Sequence, residues 1–240
     1  MKLTVCKNYD EASRVAADIF AETLKANPEA VLGLATGSTP EGMYARLAEM
    51  HEKEGLDFSK AKSYNLDEYY PISPENRQSY RYFMEKHLFT KVNFAAGATH
   101  VLDGTASDAD AECRRYEAEI DAAGGIDIQL LGIGENGHIA FNEPGEFLHA
   151  ETHKTGLTES TIAANARFFS EGEVMPNAAL TVGMGVIMRA KRIVLIATGA
   201  KKKAAVKALL SGRISTDCPA SVLQMHRDVT VICDEAATEE

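Results

Sequence analysis

The chain has 240 residues, 45% hydrophobic and 25% charged, a balance that can bury a core of ordinary size and excludes a disordered polymer. Twenty-five Lys and Arg face 35 Asp and Glu, a formal charge of −10, which repels polyphosphates at long range and excludes nucleic acid and anionic membrane surfaces as partners. Neither the opening residues nor any later run has the apolar length of a secretory signal or a membrane span, so one cytoplasmic domain over residues 1–240 is expected.

Asp10 can cap a first helix in which Ala12, Val15, Ala16, Ile19, Thr23 and Leu24 recur at helical spacing and which Pro28 ends. A strand follows, Val31 to Ala35, then the loop Thr36 to Pro40 and a second helix from about Glu41 with Met43, Leu47 and Met50 turned inward. A short strand near Ser63 to Leu66 leads into Asp67, and helices are expected around Ser79 to Phe89 and over Ala109 to Ala122. Ile126 to Ile133 is a nearly unbroken apolar run between glycines, the pattern of a strand buried on both faces. After a long irregular stretch, Arg192 to Ala197 repeats that pattern, Lys201 to Leu210 is helical, and Val229 to Cys233 is a last strand. Alternating apolar strands and amphipathic helices predict an α/β fold with a mostly parallel sheet covered on both sides. Cys6, Cys113, Cys218 and Cys233 contain no CxxC pair, which points to reduced, mostly buried thiols and not to zinc or a redox dithiol.

In such a sheet, ligands sit beyond the carboxyl ends of the strands, and four strand-end segments carry polar or charged residues: Thr36 to Pro40, Asn65 to Tyr69, Gly132 to Pro144, and Thr198 to Lys202. In the first, Gly37, Ser38 and Thr39 precede a helix whose free N–H groups and dipole favour an anion such as phosphate. An ordinary helix start, with Ser38 or Thr39 as cap and Pro40 in the first turn, accounts for the same residues. Lys201, Lys202 and Lys203 are either a second contribution to that anion site or a solvated run.

Asp67 and Glu68 are neighbours in extended chain and point to opposite faces, so one of them can enter a pocket; a solvent-facing acidic pair is the plainer reading. Gly132 to Gly137 spells GxGxxG, but Pro144 interrupts before a full helix can follow, so a dinucleotide fingerprint is rejected. His138, in a glycine-rich loop expected to be exposed, has Glu143 nearby to orient its ring for proton transfer. His149 and His153 have i, i+4 spacing, but with no third ligand in view they read as a surface helix and not a metal site.

Taken together, TGSTPEGMY, NLDEY, GIGENGHIAFNEPG, ANARFF, ALTVGMG and TGAKK resemble the glucosamine-6-phosphate deaminase (isomerase) family, in family order and across nearly the whole chain. The resemblance implies a Rossmann-like three-layer sandwich forming a single domain. It also implies an enzyme that converts an amino-sugar phosphate, glucosamine 6-phosphate, and water to fructose 6-phosphate and ammonia, with no cofactor and no metal. Carried over by the motifs, Asp67 moves the proton during enolisation and His138 opens the pyranose ring, oriented by Glu143. Asn136, an aspartate in many relatives, is an uncharged hydrogen-bond partner, so His138 has one carboxylate fewer beside it. Ser38, Thr39, Arg167 and Lys202 hold the phosphate.

Family members activated by N-acetylglucosamine 6-phosphate carry basic residues shortly after FNEP and a longer tail. Here Glu151, His153, Lys154 and Thr155 occupy that region, so no such activation is expected, and an argument for a hexamer goes with it; the oligomeric state stays open, a homo-oligomer included. The rival readings are a galactosamine-6-phosphate deaminase, a hydrolase like 6-phosphogluconolactonase, whose loop continues differently after its histidine, and a sugar-phosphate sensor, for which this acidic chain has no DNA-binding segment to spare.

Overall fold

A computed structural model describes residues 1–158, 162 and 175–238. Its centre is a seven-stranded sheet made of β1 (Lys2–Cys6), β2 (Val31–Leu34), β3 (Lys62–Asn65), β5 (Thr99–His100), β6 (Ile128–Leu131), β9 (Arg192–Ala197) and β10 (Val229–Asp234). All pairings are parallel, in the order β1-β10-β9-β6-β2-β3-β5. Every residue of β2, β6 and β10 is buried, as the apolar runs require of strands covered on both faces.

The crossovers decide which face each helix covers. The helices α1 (Tyr9–Ala26) and α2 (Glu41–Glu54) belong to connections that run one way along the sheet, β1 to β2 and β2 to β3. The helices α4 (Ala109–Ala122) and α6 (Lys203–Leu209) belong to connections that run back, β5 to β6 and β9 to β10. With right-handed crossovers the two sets lie on opposite faces, which makes three layers. α1 buries Ala12, Ala16, Phe20 and Leu24 and packs beside α2, which buries Met43, Tyr44 and Leu47. On the other face Tyr116 of α4 meets the Tyr64 ring edge-on at 5.7 Å and donates its hydroxyl to the Asn65 carbonyl at 2.8 Å.

A second, three-stranded antiparallel sheet, β4 (Asp67–Tyr70), β8 (Ala178–Thr181) and β7 (His153–Gly156), was not expected. Its strands are four residues each and far apart in sequence, so no hairpin signal announces them. The short helices α5 (Met184–Met188) and α7 (Glu235–Thr238) and the edge strand β1 were also unpredicted, while α3 (Tyr80–His87) lies within its expected span. Asn8, not Asp10, caps α1, its Oδ1 accepting the Glu11 N–H at 3.0 Å. His149 and His153 are not on a helix: His153 lies in β7 and the two rings stack at 4.2 Å. All four cysteines are free and buried, as expected, and no helix among the described residues is long and apolar enough to cross a membrane.

Candidate active site

The four strand-end segments follow β2, β3, β6 and β9, which are consecutive neighbours in the parallel sheet. Topology therefore gathers Thr36 to Pro40, Asn65 to Tyr69, Gly132 to Pro144 and Thr198 to Lys202 on one rim, at the point where the direction of the crossovers reverses.

In the first segment, Gly37 has φ +92°, a left-handed conformation that costs glycine least and that turns the chain out of β2. Neither Ser38 nor Thr39 caps α2: Pro40 stands at the cap position and no side chain bonds there, which corrects the ordinary-cap alternative. The hydroxyls and the helix start are left facing the rim. Tyr9 of α1 fastens the loop from behind, donating to the Ser38 carbonyl at 3.0 Å and accepting the Gly42 N–H at 2.7 Å. A Cβ on Gly132 would lie 4.0 Å from Thr39 Oγ1, so the β6 loop borders this one. Across the rim, Lys202 ends a turn of 3₁₀ helix, half-buried and without an ion-pair partner among the described residues. Burial holds its ammonium below the usual lysine range, with Glu135 opposing and Lys201 adding to the effect. Lys201 is mostly exposed and lies 3.6 Å from Glu135. Arg167 lies outside the described residues.

The second segment departs most from expectation, because Asp67 and Glu68 are both buried where a solvated pair was the plainer reading. They do point apart. Glu68 accepts the N–H groups of Tyr69, Tyr80 and Arg81 at 2.9, 2.8 and 2.9 Å, so it closes the start of α3 and is a structural anion. Asp67 receives no hydrogen bond from any described residue, and burial, with the Glu68 charge second, pushes its carboxyl up to about 8. Glu68 is also pushed up by burial, but its three N–H donors oppose this; of the two it ionises first, and Asp67 is the one left near neutrality.

In the third segment, Asn136 Nδ2 donates to Glu143 Oε2 at 2.6 Å, while the other Glu143 oxygen lies 3.2 Å from His138 Nδ1. The second contact is an ion-pair distance whose angle falls outside hydrogen-bond geometry. Asn136 Oδ1 accepts the His138 backbone N–H at 3.2 Å. The three residues thus form a closed polar cluster, with the carboxylate held by the amide on one side and facing the imidazole on the other. The His138 ring packs over Gly134, where an added Cβ would come within 2.4 Å of it. His138 is half-buried, so this loop is built into the fold and is not the exposed segment anticipated.

Thr181, which sequence reasoning did not single out, joins the second and third segments. It pairs with Asp67 across the antiparallel sheet, and its hydroxyl accepts the Phe141 N–H at 3.1 Å. The next residue, Val182, accepts the Asn142 amide at 2.9 Å. Aromatic packing makes a parallel link, since Phe141 stacks on Tyr80 at 6.2 Å and Tyr69 meets both rings. A buried carboxylate with a raised proton affinity, an imidazole–carboxylate pair, and a helix start and a half-buried lysine on the same rim suit proton transfers on a small molecule carrying a phosphate.

A family model described as glucosamine-6-phosphate isomerases/6-phosphogluconolactonase matches residues 7–232. The chain belongs to that family. Within the glucosamine-6-phosphate isomerase/6-phosphogluconolactonase family it is similar to the glucosamine-6-phosphate deaminase of Clostridium beijerinckii, 54% identical over 235 residues that cover 98% of this chain and 97% of that one. The deaminase of Bacillus velezensis is 51% identical over 99% of this chain and 98% of its own. A solved structure described as a monomeric glucosamine-6-phosphate deaminase superposes with a TM-score of 0.96 at 47% identity, covering 99% of this chain and 98% of that one. That description lends no support to a homo-oligomer. A 6-phosphogluconolactonase from Leishmania guyanensis superposes with a TM-score of 0.76 at 23% identity, over 99% and 97% of the two chains; this likeness shows the shared fold alone.

Proposed function

We propose that this protein is a cytoplasmic glucosamine-6-phosphate deaminase, with Gly37, Ser38, Thr39, Arg167 and Lys202 as its phosphate site and Asp67, Asn136, His138 and Glu143 as its catalytic group. The phosphate lies against the start of α2 and offsets the burial that lowers the proton affinity of Lys202. The His138–Glu143 pair moves the proton that opens the sugar ring, with Asn136 holding the carboxylate. The free aldehyde then acidifies the C2 hydrogen. Asp67 takes that proton, leaving an enolamine, and returns it at C1; the resulting ketose imine is hydrolysed by water to fructose 6-phosphate and ammonia. Each transfer by a placed side chain contributes typically about 10²- to 10⁴-fold, and the anchored phosphate keeps the open chain in register.

The observation that carries this reading is the pairing, on one rim of a family member, of a buried carboxylate near neutrality with a histidine 3.2 Å from a second carboxylate. The names of relatives that match over the full length favour the deaminase over the lactonase, whose bearers are 16–23% identical. The test is ammonia release from glucosamine 6-phosphate and from its galactosamine epimer, for the wild type and Asp67→Asn. Turnover is expected on the glucosamine epimer and should fall by at least about 10²-fold in the variant, while sugar-phosphate binding persists. Unchanged turnover in the variant removes Asp67 from the mechanism, and hydrolysis of a phosphogluconolactone without ammonia release from the amino sugar overturns the assignment.

A further inference from the structure

The loop that carries His138 and Glu143 turns back on itself between Ile139 and Asn142, where the Asn142 N–H reaches the Ile139 carbonyl at 3.1 Å. Within that turn Ala140 has φ +52°, the only positive value at a non-glycine position among the described residues. For a residue with a Cβ this conformation is strained and persists only where its surroundings hold it. Asn142 contributes by donating its amide to both the Ile139 and Val182 carbonyls, at 3.1 and 2.9 Å. Thr181 contributes its hydroxyl to the Phe141 N–H at 3.1 Å.

The register of the small sheet gives that hydroxyl a second meaning. The Val182 N–H donates to the Leu66 carbonyl at 2.8 Å, while the Leu66 N–H goes to the Leu34 carbonyl at 3.0 Å; this single ladder bond lies next to Asp67 and Thr181, which face each other as the adjacent close pair. In such a pair the Cα atoms are about 4.5 Å apart and the side chains project from the same face. Thr181 is fully buried, so its hydroxyl has no water to exchange for the Phe141 N–H. Its one other partner among the described residues is the Val182 carbonyl, at 3.5 Å. A single side chain thus lies beside Asp67 and grips the backbone two residues before Glu143.

We propose that Thr181 is a positioning residue for the deamination: its hydroxyl ties the strained Ile139–Asn142 turn to the strand facing Asp67, and so sets the His138–Glu143 pair against the buried carboxylate. This rests on the deaminase reading above and adds a residue that touches no substrate. A displacement of the pair by a fraction of an ångström acts on the reacting atoms and leaves the phosphate clamp alone.

Thr181→Ser and Thr181→Ala test it, since both lose the same methyl group and differ only in the hydroxyl. Ammonia release by Thr181→Ser should stay within about threefold of wild type, whereas Thr181→Ala should lose about ten- to a hundredfold in kcat with KM within threefold. If Thr181→Ala is not obtained folded, Thr181→Val, which exchanges the hydroxyl for a methyl group at nearly constant volume, carries the same contrast with the wild type. Equal kcat values for the hydroxyl and non-hydroxyl variants, even with a lower Tm in one, would mark a purely structural group and overturn the proposal. A loss carried by KM with kcat preserved would overturn it as well. Wild-type protein that releases no ammonia defeats the deaminase reading and this role together, whereas an active wild type with equal variants defeats this role alone.

Discussion

Asp67 must be ionised to accept a proton, yet burial and the neighbouring Glu68 hold it toward the neutral form. For a base with its pKa pushed up to about 8 in the free enzyme, kcat/KM should climb with pH across neutrality and level off above that value. Replacing Glu68 by Gln removes the second cause of the shift, so the rise should move to lower pH; a limb that stays in place would show that Glu68 does not act on Asp67. Stability moves in the opposite sense. The folded pKa lies above the unfolded carboxylate value of about 3.9, so the contribution of this group is fully present below that pH and is lost as pH rises toward 8. Asp67→Asn cannot ionise, and at pH 8 it should be more stable than wild type, a gain absent at pH 4. Thermal unfolding at the two pH values measures this, and a variant less stable at pH 8 would contradict it.

At the scale of elements, the segment from Gly132 to Pro144 works because it is not a helix. Its backbone bonds go to itself, to β8 and to Ala220: Gly134 N–H to the His138 carbonyl at 2.9 Å, Phe141 N–H to Thr181 Oγ1 at 3.1 Å, and Ala220 N–H to the Gly137 carbonyl at 2.9 Å. The close approach of the His138 ring to Gly134 leaves no room for a side chain, since an added Cβ would stand 2.4 Å from the imidazole. Gly134→Ala should therefore displace the ring, costing about 1–3 kcal/mol in stability and at least about tenfold in kcat. Inhibition by inorganic phosphate, for which the β2–α2 loop and Lys202 are the proposed site, should be unchanged. Normal turnover in this variant would show that the ring position over Gly134 is not the working one.

At the scale of the whole molecule, the same loop continues into a pocket of 230 Å³ lined by Phe141, Glu143, Glu146, His149, His153 and neighbouring residues. Among the described residues that line it are two carboxylates and no Lys or Arg, a poor setting for a second sugar phosphate. Rate curves should be hyperbolic, and N-acetylglucosamine 6-phosphate should leave them unchanged; a sigmoidal curve made hyperbolic by that compound would refute this. A larger depression of 710 Å³ lies among Glu49, His51, Glu52, Lys53 and Lys91. It borders the last turns of α2, the end opposite the phosphate loop, and has no part in the chemistry.

The amino-acid sequence by itself determined the layered α/β architecture and the list of rim residues. Apolar runs such as Ile128–Leu131 and helical spacing such as that of Ala12, Ala16 and Leu24 are local signals, and strand ends in a parallel sheet share one side. It could not yield the β4-β8-β7 sheet, whose four-residue strands meet only through long-range pairing, and so it missed Thr181 and left a solvated pair as the plainer reading of the Asp67–Glu68 spacing. Burial of a carboxylate, the capture of N–H donors by Glu68 and not by Asp67, and the grip on a strained turn all depend on what lies across a strand, not along it. Only the tertiary structure decided them, because desolvation and cross-strand contact are properties of packed neighbours and leave no periodic trace in the chain.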